Sequence, residues 1–178
     1  MTVTNVSLKK PDLILEHYFL GKTFASGIFE DRFGNVRRQF TVDIDGTWDG
    51  KTLTLTEDFI FGDGETETRV WSIEKIAPAS YVGTADDVIG SAKGIVSGNT
   101  LNWKYDMRLK VGGSRVKVHF DDWMFLQPNG VLINKARVSK LGLDIGRVTI
   151  AFTKKADADF LSTIPSTNKE PLVATLAR

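Results

Sequence analysis

The sequence contains no cysteine. That removes disulfides, thiolate nucleophiles, cysteine-ligated metals and a lipobox from consideration. It has 2 histidines, His17 and His119, and neither stands at a spacing from other ligands that points to a metal. Neither sign of charge dominates. There are 23 Lys and Arg against 22 Asp and Glu, a net charge of +1, which is too little for nucleic-acid binding driven by phosphate electrostatics. No apolar run approaches the length of a transmembrane helix. The opening stretch, Met1 to Pro11, is polar and lacks the basic and apolar regions of a signal peptide, and Leu13-Ile14-Leu15 is too short to serve as one. The expectation is a cytoplasmic protein, or a periplasmic one if a leader has been removed. A phosphate-cradling loop is missing too. Gly90, Gly94 and Gly98 are spaced along a strand-like region with no helix behind them, and they read as bends or bulges.

The 178 residues, 42% hydrophobic and 25% charged, suit one globular domain with a sizeable core. The expected organisation is a lead-in over residues 1–20, a single β-domain over 21–154 and a weakly structured tail over 155–178. In that tail Pro165 and Pro171 interrupt a polar stretch, and Ala156 to Leu161 has room for one or two helical turns.

Between the ends the pattern is period two. Arg38, Phe40, Val42, Ile44 and Trp48 share one parity, opposed by Arg37, Gln39, Thr41, Asp43 and Asp45. Asp49-Gly50 then signals a tight hairpin. Leu53, Leu55, Phe59 and Phe61 follow on one face, and Gly62-Asp63-Gly64 turns the chain into Arg69, Trp71 and Ile73. The second half repeats the device. Leu101, Trp103, Tyr105, Met107 and Leu109 alternate with polar residues; Gly112-Gly113 and Pro128-Asn129-Gly130 separate the strands beyond. This predicts about ten antiparallel strands and no helix between Lys22 and Lys154. Closing the meander removes its exposed edges, so an all-β, up-and-down barrel is the first choice and a two-sheet sandwich the second. An outer-membrane barrel is disfavoured, because its interior would be crowded with bulky opposed charges.

A set of spaced motifs adds to this reading. Asp31-Arg32-Phe33-Gly34, Gly46-Thr47-Trp48-Asp49-Gly50, Arg69-Val70-Trp71, Tyr81 to Gly90 and Phe120-Asp121-Asp122-Trp123-Met124 run along most of the strand region. With them the chain resembles a bacterial family of unknown function, many of whose members are described as lipoproteins. The resemblance implies a lipocalin-like (calycin) barrel and brings no activity with it. Without a lipidated Cys, it does not imply membrane anchoring here.

The informative residues are polar ones on the apolar parity. Pairing Trp48 with Lys51 sets Val42 against Glu57 and Phe40 against Phe59. Pairing Phe61 with Glu65 sets Glu57 against Arg69 and Leu55 against Trp71. Pairing Val111 with Ser114 sets Tyr105 against Phe120 and Trp103 against Asp122. Pairing Leu126 with Leu132 sets Ala136 beside Asp122 and Asn134 beside Met124. The cavity candidates are therefore Arg38, Glu57, Arg69, Trp71, Trp103, Tyr105, Asp122 and Asn134. One reading is a buried ion pair with polar neighbours that fix register; the other is a lining that orients the polar end of a ligand. Arg38, near the open end of its strand, is the least obviously paired. His119 falls on the polar parity and reads as a surface residue. Asp86-Asp87 and Asp121-Asp122 look like carboxylate pairs, but adjacent strand residues point to opposite faces. The four tryptophans read as core.

These residues form no nucleophile–base–orienter set, so no catalytic residue, metal or cofactor is assigned. The favoured function is binding of a small hydrophobic or lipid-like ligand. A filled barrel with a structural or partner-binding surface ranks second. An isomerase, cyclase or hydrolase using an interior carboxylate ranks third, and an inward carboxylate without a cationic partner would favour it. No nucleic-acid partner and no membrane insertion are expected.

Overall fold

The computed structural model describes residues 11–111 and 113–154; the C-terminal tail of the sequence reading lies outside them. One short helix, α1 (Leu15–Tyr18), precedes ten strands. These are β1 (Gly21–Asp31), β2 (Val36–Trp48), β3 (Thr52–Phe61), β4 (Thr66–Ala77), β5 (Ser80–Thr84), β6 (Val88–Ser97), β7 (Thr100–Val111), β8 (Ser114–Leu126), β9 (Leu132–Lys140) and β10 (Leu143–Thr153). Each strand pairs antiparallel with its neighbours in sequence, and β1 closes onto β10, from Phe24 opposite Thr153 to Asp31 opposite Gly146. The barrel is closed and of the up-and-down kind, so the sandwich alternative is set aside.

Alternation decides which side chains enter. On β2, Val42 and Ile44 are buried while Arg37, Gln39, Thr41, Asp43 and Asp45 are exposed. Leu53, Leu101, Met107, Val118, Leu132 and Val138 complete the densest part of the core. Of the registers read from the turns, those of β3–β4, β7–β8 and β8–β9 hold. That of β2–β3 does not: Trp48 faces Leu53, Val42 faces Phe59, Phe40 faces Phe61, and Ile44 faces Glu57. The cause is the Asp49 side chain, whose Oδ1 accepts hydrogen bonds from the backbone of Lys51 (2.8 Å) and Thr52 (2.7 Å). That Asx-type cap draws both residues into the turn and lengthens it by two. A slip of two leaves every side chain on its own face.

One end of the barrel is sealed by residues 11–20. Leu13, Leu15 and Phe19 are buried there, and the Leu13 N–H donates to Gly98 O at 2.8 Å. The Tyr18 hydroxyl lies 3.0 Å from Gly130 O and 3.1 Å from Phe152 O. Burial pushes its pKa up to about 12. Gly46 is required at this end, because a Cβ there would stand 1.7 Å from Phe19 O. Glu16 is also buried, held by the Lys75 ammonium at 2.5 Å and the Tyr81 hydroxyl at 2.8 Å. The opposite end, formed by the β1–β2, β3–β4, β5–β6, β7–β8 and β9–β10 turns, is open.

Candidate functional site

From the open end a cavity of about 820 Å³ reaches into the barrel. The core is therefore not filled, and the volume lies in the range of small-molecule sites. All eight candidates, Arg38, Glu57, Arg69, Trp71, Trp103, Tyr105, Asp122 and Asn134, line it. They form three levels.

At the mouth, Arg38 lies over the Phe61 ring, 3.6 Å from its centroid, and pairs with Asp63 at 3.2 Å and with Glu65. The partners that the sequence reading leaves less obvious for Arg38 are thus Asp63 and Glu65. The β3–β4 turn, by carrying two carboxylates, brings them both to it.

At the next level, Glu57 and Arg69 are cross-strand partners as expected. Their charged atoms nevertheless stand 3.8 Å apart, whereas Asp87 lies 2.8 Å from Arg69 Nη2 and 2.9 Å from its Nε. Asp87 holds Arg69 more closely than Glu57 does. The sequence reading treats Asp86 and Asp87 as adjacent strand residues, but both lie in the turn between β5 and β6, where alternation assigns no face, and so it does not find Asp87. Its neighbour Asp86 is exposed. Burial works against the charge on Arg69, but Glu57 and Asp87 outweigh it and raise its pKa. Burial pushes Glu57 up to about 7 despite Arg69, and Asp87 adds to the rise.

The inner level is aromatic. Trp71 meets Trp103 and Tyr105 edge to face at 5.7 and 5.4 Å, and Tyr105 stacks on Phe120 at 5.0 Å. The Trp103 indole fits only because Gly83 and Gly94 carry no side chain: a Cβ would stand 2.6 and 2.3 Å from its ring. Gly94 is thus a seat for Trp103 rather than a bend, while the irregularity expected of this strand falls between Ile89 and Lys93. Beside this cluster Asp122 and Asn134 are 4% and 2% exposed. Asp122 Oδ2 accepts from the Tyr105 hydroxyl and from Asn134 Nδ2, each at 3.4 Å. Among the described residues, Asp122 Oδ1 and Asn134 Oδ1 are buried with no hydrogen-bond partner. Burial pushes Asp122 up to about 7, against the two bonds it accepts. Burial, with Asp122 next, raises Tyr105 well above the usual phenol range.

Asp121 points outward to Asn102 at 2.7 Å and Lys104 at 3.6 Å, so the two carboxylates diverge as expected. His119 is exposed and lies 2.7 Å from Asp106. Trp123 is a correction. It is only partly buried and shares the outward parity of Asp121, so three tryptophans, not four, pack with the core. Among the described residues, no group of His, Asp and Glu could hold a metal, and no helix is long and apolar enough to cross a membrane.

Residues 1–154 match the family described as protein of unknown function DUF3833. The chain belongs to that family. No curated protein sequence matches it. Among solved structures it is similar to the S-type phycobiliprotein lyase CPES from Guillardia theta. The TM-score is 0.58 at 6% identity, over 79% of this chain and 90% of that one. It is also similar to a DUF3598-family protein of unknown function from Nostoc punctiforme. There the TM-score is 0.53 at 12% identity, over 80% of this chain and 49% of that one, about half its length. At such identities the likeness is one of fold: a lipocalin-like barrel.

Proposed function

We propose that the barrel binds a small, mostly apolar molecule whose inner end carries hydrogen-bond donors. One observation carries the reading. Among the described residues, Asp122 Oδ1 and Asn134 Oδ1 are buried acceptors without donors, beside the aromatic cluster at the inner level of the cavity. A buried polar atom left unsatisfied costs about 1–3 kcal/mol; a primary amide arriving from the mouth has two donor hydrogens and satisfies both acceptors, and an alcohol or a single N–H satisfies one of them. Aromatic rings supply the apolar contact, as in most small-molecule sites. Arg69 is committed to Asp87 and Glu57 and Arg38 to Asp63 and Glu65, so a fatty-acid carboxylate is the weaker fit. A phycobiliprotein lyase with the same fold supports the barrel as a scaffold and leaves the ligand open.

The test uses a bound hydrophobic dye, anilinonaphthalene sulfonate, displaced by lauryl alcohol, lauramide or methyl laurate. The alcohol and amide are expected to displace it at lower concentration than the donor-less ester. Replacing Asp122 and Asn134 together by leucine removes that preference. Equal displacement by all three would overturn the reading.

A second reading rests on the same carboxylate. Among the described residues no cation pairs with Asp122, and a carboxyl held near neutrality in a cavity suits general acid or base chemistry. Turnover that disappears in Asp122→Asn while dye binding persists would favour an enzyme over a carrier.

A further inference from the structure

The β9–β10 connection is a two-residue hairpin, with Lys140 paired to Leu143 and Leu141-Gly142 between them. Leu141 and Gly142 have φ of 50° and 80°, as a type I′ turn requires. Such turns take Asn, Asp or Gly first, because a bulky side chain at positive φ is strained. Among the described residues Leu141 is the one non-glycine with positive φ, and it is 94% exposed. A strained backbone that presents a leucine wholly to water is unfavourable twice over, and such strain is a pointer to function.

Leu141 has neighbours of the same kind. Leu143 is 70% exposed. On the adjoining β1–β2 turn Phe33 is 74% exposed, and pairing of Asp31 with Gly146 brings that turn alongside the start of β10. On the other side, the β8–β9 ladder ends at His119 opposite Ser139, which sets Arg115 and Lys117 beside Lys140 and Leu141 around a shallow depression. These turns all stand at the open end, around the cavity mouth.

Charge divides that rim. On the β3–β4 side, Asp63, Glu65 and Glu67 are engaged by Arg38 and Arg69. On the other side Arg32, Arg108, Lys110, Arg115 and Lys140 are exposed. Among the described residues none of these five has an ion-pair partner; Arg37, Lys117 and Arg137 on the same side pair with Asp31, Asp106 and Asp144, so the five are cations in excess of the local carboxylate pairs. Apolar tips on separate turns, set among unpaired cations, match an interface with an apolar interior beneath a negative surface.

We propose that this arc of the rim, Phe33, Leu141 and Leu143 with Arg115 and Lys140, docks the barrel mouth against an anionic lipid bilayer, the apolar tips entering between headgroups. This requires no spanning segment, and it does not depend on what the cavity binds. A failure of the dye-displacement test leaves it standing, and its own failure leaves the cavity reading untouched.

The full chain is floated with vesicles of phosphatidylcholine, with and without phosphatidylglycerol. It is expected to float with the anionic vesicles, to remain with the soluble fraction on neutral ones, and to be released by added salt. Leu141→Gly is the informative variant. It relieves the positive-φ strain, so its thermal midpoint should hold or rise, while vesicle affinity falls about tenfold through the lost apolar side chain. Arg115→Gln with Lys140→Gln should weaken anionic binding by at least about tenfold. The proposal is overturned if wild type fails to float with anionic vesicles at low salt, or floats equally with neutral ones. It is also overturned if Leu141→Gly binds like wild type. Sedimentation velocity supplies one more outcome: self-association that Leu141→Gly abolishes, without vesicle binding, would make this arc a protein interface instead.

Discussion

Asp87 Oδ2 lies 2.8 Å from Arg69 Nη2, although alternation along the strands pairs Arg69 with Glu57, whose carboxylate is 3.8 Å away. The β5–β6 turn thus reaches over β4 and supplies the nearer counter-charge. Arg69→Met is expected to cost about 3–5 kcal/mol, because it leaves carboxylates buried without their cation. Double-mutant cycles should give a larger coupling for Arg69 with Asp87 than for Arg69 with Glu57, since Glu57 with its pKa near 7 can take up a proton instead. Urea unfolding of the single and double variants measures both couplings. A larger Arg69–Glu57 coupling would contradict the geometry.

The inward set was legible because it depends only on parity. A strand side chain keeps its face under any even slip, so the two-residue error at Asp49-Gly50 moved Glu57 from Val42 to Ile44 without taking it out of the cavity. Turns were the opaque part, since irregular backbone has no period. Asp87 and the strained Leu141 both sit in turns, and α1 is 4 residues long, too short to show a helical period. The orphaned oxygens of Asp122 and Asn134 were illegible for another reason. Satisfaction of a polar atom depends on distances across strands, and register alone does not give them.

Asp122 and Glu57 should make stability fall as pH rises from about 4 to about 7. Both carboxyls are raised to about 7, from ordinary values of 3.8 and 4.5. In that window the folded protein holds protons the unfolded chain has released, so unfolding gains with pH and the effect levels off above about 7. Asp122→Asn removes one of these sites. It should flatten the slope and, above neutrality, gain up to about 4 kcal/mol relative to wild type. Thermal midpoints of both proteins across the range test this; parallel curves would refute it.

Gly94→Ala should be destabilising by about 1–3 kcal/mol, the usual cost of overpacking a tight core. The new methyl would stand 2.3 Å from the Trp103 ring, which has to tilt toward Trp71 and into the cavity. Near-ultraviolet circular dichroism should change with it, as the Trp71–Trp103–Tyr105 cluster loses its edge-to-face order. A variant with wild-type stability and spectrum would mean that Trp103 does not rest on this strand.

Glu16→Gln should loosen the closed end while leaving the barrel wall intact. Burial opposes ionisation of Glu16, but its bonds with Lys75 and Tyr81 and to backbone prevail and hold its pKa below the ordinary 4.5. The sign is therefore opposite to that of Asp122: its contribution is present above the ordinary carboxylate range and is lost as pH falls through the lowered value. The amide keeps the shape but gives up the charge, leaving the Lys75 ammonium, its side chain 26% exposed, without a counter-ion; about 1–3 kcal/mol is expected. Loss is local if residues 11–20 undock before the strands separate. The Leu13 N–H, bonded to Gly98 O, then exchanges with solvent faster in the variant, while amides of β8 and β9 keep their protection. Acidifying the wild type should reproduce the same pattern. Uniform acceleration across all strands would show instead that the lead-in and the barrel unfold as one unit.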